Sequence, residues 1–143
     1  LALGALAPDG VSHIDWRLAG RLGVDNDFVK LQITNLKHQI DQKTHLYRKG
    51  RQAYRFREKT VILVDDGAAT GATMEVAIKW VRKKHAKRIV VALPIAPKTL
   101  LPKIAPEVDE LIVLETPDYF GAVGQFYKDF RQISDEEVVE LLK

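Results

Sequence analysis

The segment Val61-Ile62-Leu63-Val64-Asp65-Asp66-Gly67-Ala68-Ala69-Thr70-Gly71-Ala72-Thr73 constrains this chain more than any other. Four apolar residues between charge on one side and Asp-Asp-Gly on the other read as a strand buried on both faces, in the middle of a parallel sheet. The small residues that follow lead into a helix over Ala72 to Lys84, with Val76, Ala77, Trp80, Val81 and Lys84 in helical register. Arg88 to Leu93 is the next buried strand, closed by Pro94 and Pro97. Thr99 to Ile104 reads as a short helix interrupted by Pro102, and Leu111 to Leu114 as a further strand. Strands alternating with helices predict an α/β fold with a parallel, Rossmann-like sheet and helices on both faces. Ligands of such sheets sit at the carboxyl ends of the strands.

The flanking regions are read the same way. Leu1 to Ala7 is apolar and small and is expected to be a buried strand. Pro8-Asp9-Gly10 makes a turn, and Val11 to Trp16 returns as a second short strand. Val29, Ile33, Leu36 and Ile40 step by four, three and four, which puts them on one helix face. That helix starts at Asn26, with Asp25 or Asn26 as cap, and runs to about Tyr47. Ser134-Asp135-Glu136-Glu137 is a capping box opening a terminal helix through Leu142.

Composition narrows the function classes. With 143 residues, 46% hydrophobic and 29% charged, the chain is expected to form one domain over residues 1–143. The net charge of +3 is spread along the sequence, so nucleic acid is not expected as a partner, whereas a small phosphorylated molecule suits it. Absence of cysteine excludes disulfides and thiolate metal sites. No apolar run approaches the roughly 18 residues of a membrane span, so the expected location is the cytoplasm, with no membrane contact. The first residue is Leu1 rather than Met, and the chain reads as a portion of a longer one.

The chemistry lies in the segment first described. Asp65 and Asp66 stand at the carboxyl end of a strand, where successive side chains diverge and can address different groups of one ligand. Carboxylates are acceptors, matched by the neighbouring hydroxyls of a furanose. From Gly67 through Ala68, Ala69, Thr70 and Gly71 no bulky side chain intervenes, so backbone N–H groups can approach an anion. The helix starting at Ala72 points its positive end to the same place. Thr70 and Thr73 add hydroxyl donors. A phosphate, with more acceptor oxygens than a carboxylate, fits this nest. Two acids beside it would repel a free polyphosphate, and make sense if they grip the sugar and help hold a magnesium ion.

With these residues in view, the segment resembles the phosphoribosyl pyrophosphate motif of type I phosphoribosyltransferases. The likeness extends to Leu1 to Gly10, Tyr47-Arg48, Pro94-Ile95-Ala96-Pro97, Leu114-Glu115-Thr116-Pro117 and Phe120 to Phe130. These look like a bacterial and archaeal group of such enzymes whose acceptors are generally unassigned. The resemblance implies transfer of a phosphoribosyl group from magnesium-bound phosphoribosyl pyrophosphate. Asp65 and Asp66 would be the catalytic pair, holding the ribose hydroxyls and stabilising positive charge, while Gly67 to Thr73 would fix the 5-phosphate. Phosphoribosyl pyrophosphate or a nucleoside 5-phosphate is the implied ligand, with Mg2+ as cofactor, no assigned side-chain metal ligands, and room for a homodimer.

The sequence departs from the family in two places. Ala69 stands where some purine-using members carry an acid that serves as base, which argues against ordinary purine salvage. The N-terminal strand and pyrophosphate loop of the family are expected to be missing from this chain, leaving it weak or inactive as a catalyst. A non-catalytic ribose-phosphate-binding regulator is therefore the alternative reading.

Elsewhere the readings are plainer. His13, His38, His45 and His85 share no ligand spacing and are expected at the surface. Trp80 is expected in the core. Lys98 reads as solvated, with acceptor contact as the lesser reading. Tyr119 to Phe130, aromatic and broken by Gly121 and Gly124, either hoods the acceptor or packs on the sheet edge. Arg48 to Arg57, with Tyr54 and Phe56, reads as a solvated loop before an RNA or phosphate contact.

Overall fold

A computed structural model describes residues 3–49, 51 and 54–143. The chain begins with an antiparallel hairpin of β1 (Gly4–Leu6) and β2 (Ser12–Ile14), paired Gly4 to Ile14 and Leu6 to Ser12. Its turn at Pro8–Gly10 places Asp9 at φ 61 and Gly10 at φ 74. Asp9 then leaves the hairpin to meet the helix after the motif. It accepts from Trp80 Nε1 at 3.0 Å and pairs with Lys84 at 2.7 Å, contacts that hold its carboxyl below the ordinary aspartate range. The expected strand over Leu1 to Ala7 is thus shorter and half-buried, because it pairs only with β2 and lies against a helix instead of entering the main sheet. Leu1 and Ala2 lie outside the described residues.

Two helices follow. The first, α1 (Trp16–Arg21), is capped by Asp15, whose Oδ1 accepts from Leu18 N–H at 2.9 Å. It overlaps the end of the strand expected over Val11 to Trp16 and buries only Ala19, so it carries no apolar period that would announce it. The second, α2 (Asn26–Arg48), starts at Asp25, which accepts from Phe28 N–H at 2.6 Å, and ends at Lys49 in the left-handed region. Of its predicted apolar face, Val29 is buried, Ile33 and Ile40 are half-buried and Leu36 is exposed.

The central sheet is parallel, in the order β3 (Thr60–Val64), β4 (Arg88–Ile95), β5 (Glu110–Glu115). Helix α3 (Ala72–Lys83) buries Met74, Val76, Ile78 and Val81, and three of these enter the main core with Ile89, Val91, Leu93, Leu100 and Ile104. Short α4 (Leu101–Ile104) belongs to the same layer through Ile104, and Pro102 lies in its first turn, where no intrahelical N–H is needed, so it does not interrupt it.

Here the prediction for the motif strand is corrected. It is β4, not β3, that is central; β3 is an edge, alternating half-buried Val61 and Leu63 with Ile62 at 61% and Val64 at 71% exposure. Ile112 and Leu114 of β5 are exposed on the same face, so the described helices α3 and α4 pack on the opposite one. A second correction concerns Pro94, which β4 runs through instead of stopping before. The ladder to β5 resumes beyond it, with Ile95 opposite Glu115 and Ala96 N–H donating to the Glu115 carbonyl at 3.3 Å.

The chain ends in α5 (Asp135–Leu141), opened by the predicted box: Glu137 N–H donates to Ser134 Oγ at 3.2 Å and Ser134 N–H to Glu137 Oε2 at 3.1 Å. Arg131 grips both Glu137 oxygens and holds that carboxyl at about 2. Tyr47 Oη donates to Asp135 at 2.5 Å and ties α5 to α2.

Candidate functional site

The strand β3 delivers Asp65 and Asp66 to the carboxyl edge of the sheet, and the chain then turns through 67–71 into α3. A cavity of about 190 Å³ lies in this turn, walled by Asp65 and by Gly67 through Met74. Asp65 is half-buried at its rim, while Asp66 stands exposed beside it. Asp66 N–H donates to Asp65 Oδ1 at 3.0 Å, which fixes one carboxylate oxygen. Ala69, Thr70 and Thr73 are exposed, and Gly67, Ala68 and Gly71 are buried.

The donors of this cavity are mostly unspent. Ala68 N–H donates to the Ile95 carbonyl at 3.1 Å, and Ala72 N–H reaches Thr70 Oγ1 at 3.5 Å. Among the described residues, the amides of Ala69, Thr70, Gly71, Thr73 and Met74 meet no acceptor, and no side chain caps α3 at Gly71. Free N–H groups at a helix start, aligned with its dipole, are able to accept an anion.

Two glycines are sterically required. Gly71 has φ +81, and a Cβ there would lie 2.4 Å from Leu100 Cδ1. At Gly67 a Cβ would lie 2.6 Å from Ile95 Cγ2 and 2.8 Å from Val123 Cγ1. Val123 belongs to the aromatic segment after β5, so that segment packs directly on the motif turn. Tyr127 Oη also donates to the Asp66 carbonyl at 2.6 Å.

Burial pushes the Asp65 carboxyl above the ordinary aspartate range; the Asp66 amide opposes this and the Asp66 charge adds to it. A carboxyl whose pKa is raised on folding binds its proton more tightly in the native state, so its charged form opposes folding. The cost is absent below the unfolded-state value and grows as pH rises through the raised one. Asp65→Asn is accordingly expected to gain stability relative to the unaltered chain as pH rises from about 3.5 to 7, measured by urea midpoints. A constant or shrinking difference would contradict the desolvated carboxylate.

Other predicted positions are placed as follows. Lys98 pairs with Asp118 at 2.5 Å, linking the segments after β4 and β5 beside the site. Trp80 is partly buried, its ring edge-on to Phe56 and Tyr54 at 5.1 and 5.6 Å, with Arg48 stacked over Tyr54 at 3.8 Å. Tyr54 and Phe56 thus pack against α3 through Trp80; Gly50, Gln52 and Ala53 of the basic stretch lie outside the described residues. His38 meets Gln42 at 3.0 Å and His13 approaches Glu75 at 3.7 Å. Among the described residues no group of three or more His, Asp or Glu could hold a metal ion. A larger groove of about 360 Å³ between the hairpin and α2 is walled by apolar side chains such as Phe28, Ile33 and Leu36 and offers no charge for an anion.

A sequence model described as the phosphoribosyl transferase domain matches residues 17–131. The chain belongs to the phosphoribosyl transferase domain family. Two Mycobacterium tuberculosis proteins, named "Putative phosphoribosyl transferase MT0597" and "Putative phosphoribosyl transferase Rv0571c", are each 35% identical to it over 99% of its length. The chain spans 32% of the length of each. Among solved structures, TT1426 from Thermus thermophilus superimposes with a TM-score of 0.75 at 30% identity, covering 99% of this chain and 67% of that one. The fold is thus the type I phosphoribosyltransferase fold, and the cavity at the end of β3 is formed by the motif that carries the family resemblance. No helix among the described residues is long and apolar enough to cross a membrane.

Proposed function

We propose that this domain takes part in phosphoribosyl transfer, binding the ribose 5-phosphate portion of phosphoribosyl pyrophosphate in the cavity between β3 and α3. One observation carries the reading: the residues whose amides meet no acceptor, Ala69, Thr70, Gly71, Thr73 and Met74, line the same cavity that Asp65 borders. The amides and the α3 dipole favour the 5-phosphate. Asp65, with one oxygen occupied by the Asp66 amide, offers the other to a ribose hydroxyl, and exposed Asp66 offers its carboxylate to the neighbouring one.

As pyrophosphate departs from the anomeric carbon, positive charge develops on the sugar. Two carboxylates held on a rigid strand end stabilise that charge without moving a proton. Fixing the 5-phosphate places the reacting carbon relative to them. The donor set fits magnesium that arrives on the substrate's phosphates, since such ions use one or two carboxylates and keep several waters; the ion would screen the pyrophosphate charge. Ala69 provides no base beside the acceptor, so the nucleophile must be one that needs no base from this loop position. The same Ala69 favours, as a second reading, a regulator that binds ribose phosphate without transfer.

Calorimetric titration with ribose 5-phosphate tests the reading. Asp66→Asn and Asp65→Asn are each expected to weaken binding about tenfold by removing a charge-assisted hydrogen bond to a hydroxyl. Undiminished binding by both variants would remove the sugar from this site. Pyrophosphate release from phosphoribosyl pyrophosphate and magnesium, in the presence of nucleobases, separates transfer from regulation.

A further inference from the structure

Tyr127 stands 61 positions from Asp66 in sequence, yet its hydroxyl donates to the Asp66 carbonyl at 2.6 Å. The hydroxyl is held in place by its own surroundings. The Tyr127 ring lies 5.2 Å from that of Phe130, and Phe130 in turn fills the space over Gly124, where a Cβ would be 2.7 Å from Phe130 Cδ1. On the neighbouring residue of the motif, Val123 and Ile95 close the space over Gly67. The turn from strand to loop is therefore held from the segment after β5 by a steric contact at Gly67 and a hydrogen bond at Asp66.

A peptide unit is planar, so the carbonyl of Asp66 and the N–H of Gly67 point in opposite directions within one rigid plane. Anchoring the carbonyl fixes the direction of the Gly67 N–H, and Gly67 lines the cavity. It also fixes the strand end from which the Asp66 carboxylate projects. The opposite end of the cavity is held independently: Thr73 and Met74 lie on the first turn of α3, which Met74 anchors in the core. We propose that Tyr127 is a positioning residue for the sugar end of this site, orienting the Asp66–Gly67 peptide while leaving the phosphate end untouched. This rests on the ribose-phosphate reading above.

Tyr127→Phe keeps the ring against Phe130 and removes only the hydroxyl. Loss of one hydrogen bond is expected to raise the Kd for ribose 5-phosphate about fivefold. The Kd for inorganic phosphate, followed through the Thr73 and Met74 amide resonances, is expected to change less than about twofold. In the ligand-free chain, Gly67 amide exchange is expected to quicken about fivefold while that of buried β4 amides stays constant. Equal weakening of both ligands would mean general loosening and overturn the proposal, as would unchanged ribose 5-phosphate affinity. If the unaltered chain binds phosphate but not ribose 5-phosphate, the sugar reading fails, and with it Tyr127's role toward the sugar. Gly67 exchange then decides whether Tyr127 orients the peptide at all.

Discussion

Gly71→Ala is expected to lower stability by about 2–3 kcal/mol and to abolish phosphate binding in the cavity at millimolar concentrations. Two costs combine. At φ +81 an alanine sits in the left-handed region, which costs roughly 1–2 kcal/mol for a residue with a Cβ. The new Cβ would also lie 2.4 Å from Leu100 Cδ1, and Leu100 is 3% exposed and packed in the core, so it has little room to turn aside. If the backbone yields instead, residue 71 leaves the left-handed region and the unpartnered amides of Thr70, Gly71, Thr73 and Met74 are displaced relative to one another. Either route damages the nest. Urea unfolding and a phosphate titration on the same variant read both effects; an unshifted midpoint with intact binding would show that the glycine is dispensable.

The motif is readable from sequence because each of its parts is local. An apolar run, two acids, small residues and a helical period are neighbours in the chain, and the strand, turn and helix form from those same neighbours. The caps at Asp25 and Ser134 are legible for the same reason, each side chain bonding an amide three residues on. What depends on distant segments is not. Val61 to Val64 is as apolar as a central strand, yet whether its second face is covered is decided by other parts of the chain, and Ile62 and Val64 are exposed. Pro94 reads locally as a terminator, but β4 accommodates it where β3 has already ended and the pairing with β5 resumes at Ile95. The aromatic segment is visible as such. That its Tyr127 chooses the Asp66 carbonyl is beyond any local pattern.

This dependence on distant packing leads to the largest effect on stability. Ile89→Ala is expected to cost about 3–4 kcal/mol, since Ile89 is 0% exposed in central β4, surrounded by α3, β3 and β5 side chains that cannot collapse into the space. Ile62→Ala, on the open face of β3 at 61% exposure, is expected to cost under about 1 kcal/mol, mostly from lost β propensity. Chemical denaturation of the two variants measures the difference between the faces, and equal costs would mean that the open face is covered in solution. The same comparison bears on function. β4 carries Ile95, whose carbonyl holds the Ala68 amide at 3.1 Å and whose side chain closes over Gly67. The turn between β3 and α3 is thus supported from behind by the strand that Ile89 anchors, so the weakened β4 should release the Ala68 amide to faster exchange before the chain unfolds, whereas Ile62→Ala should leave it protected.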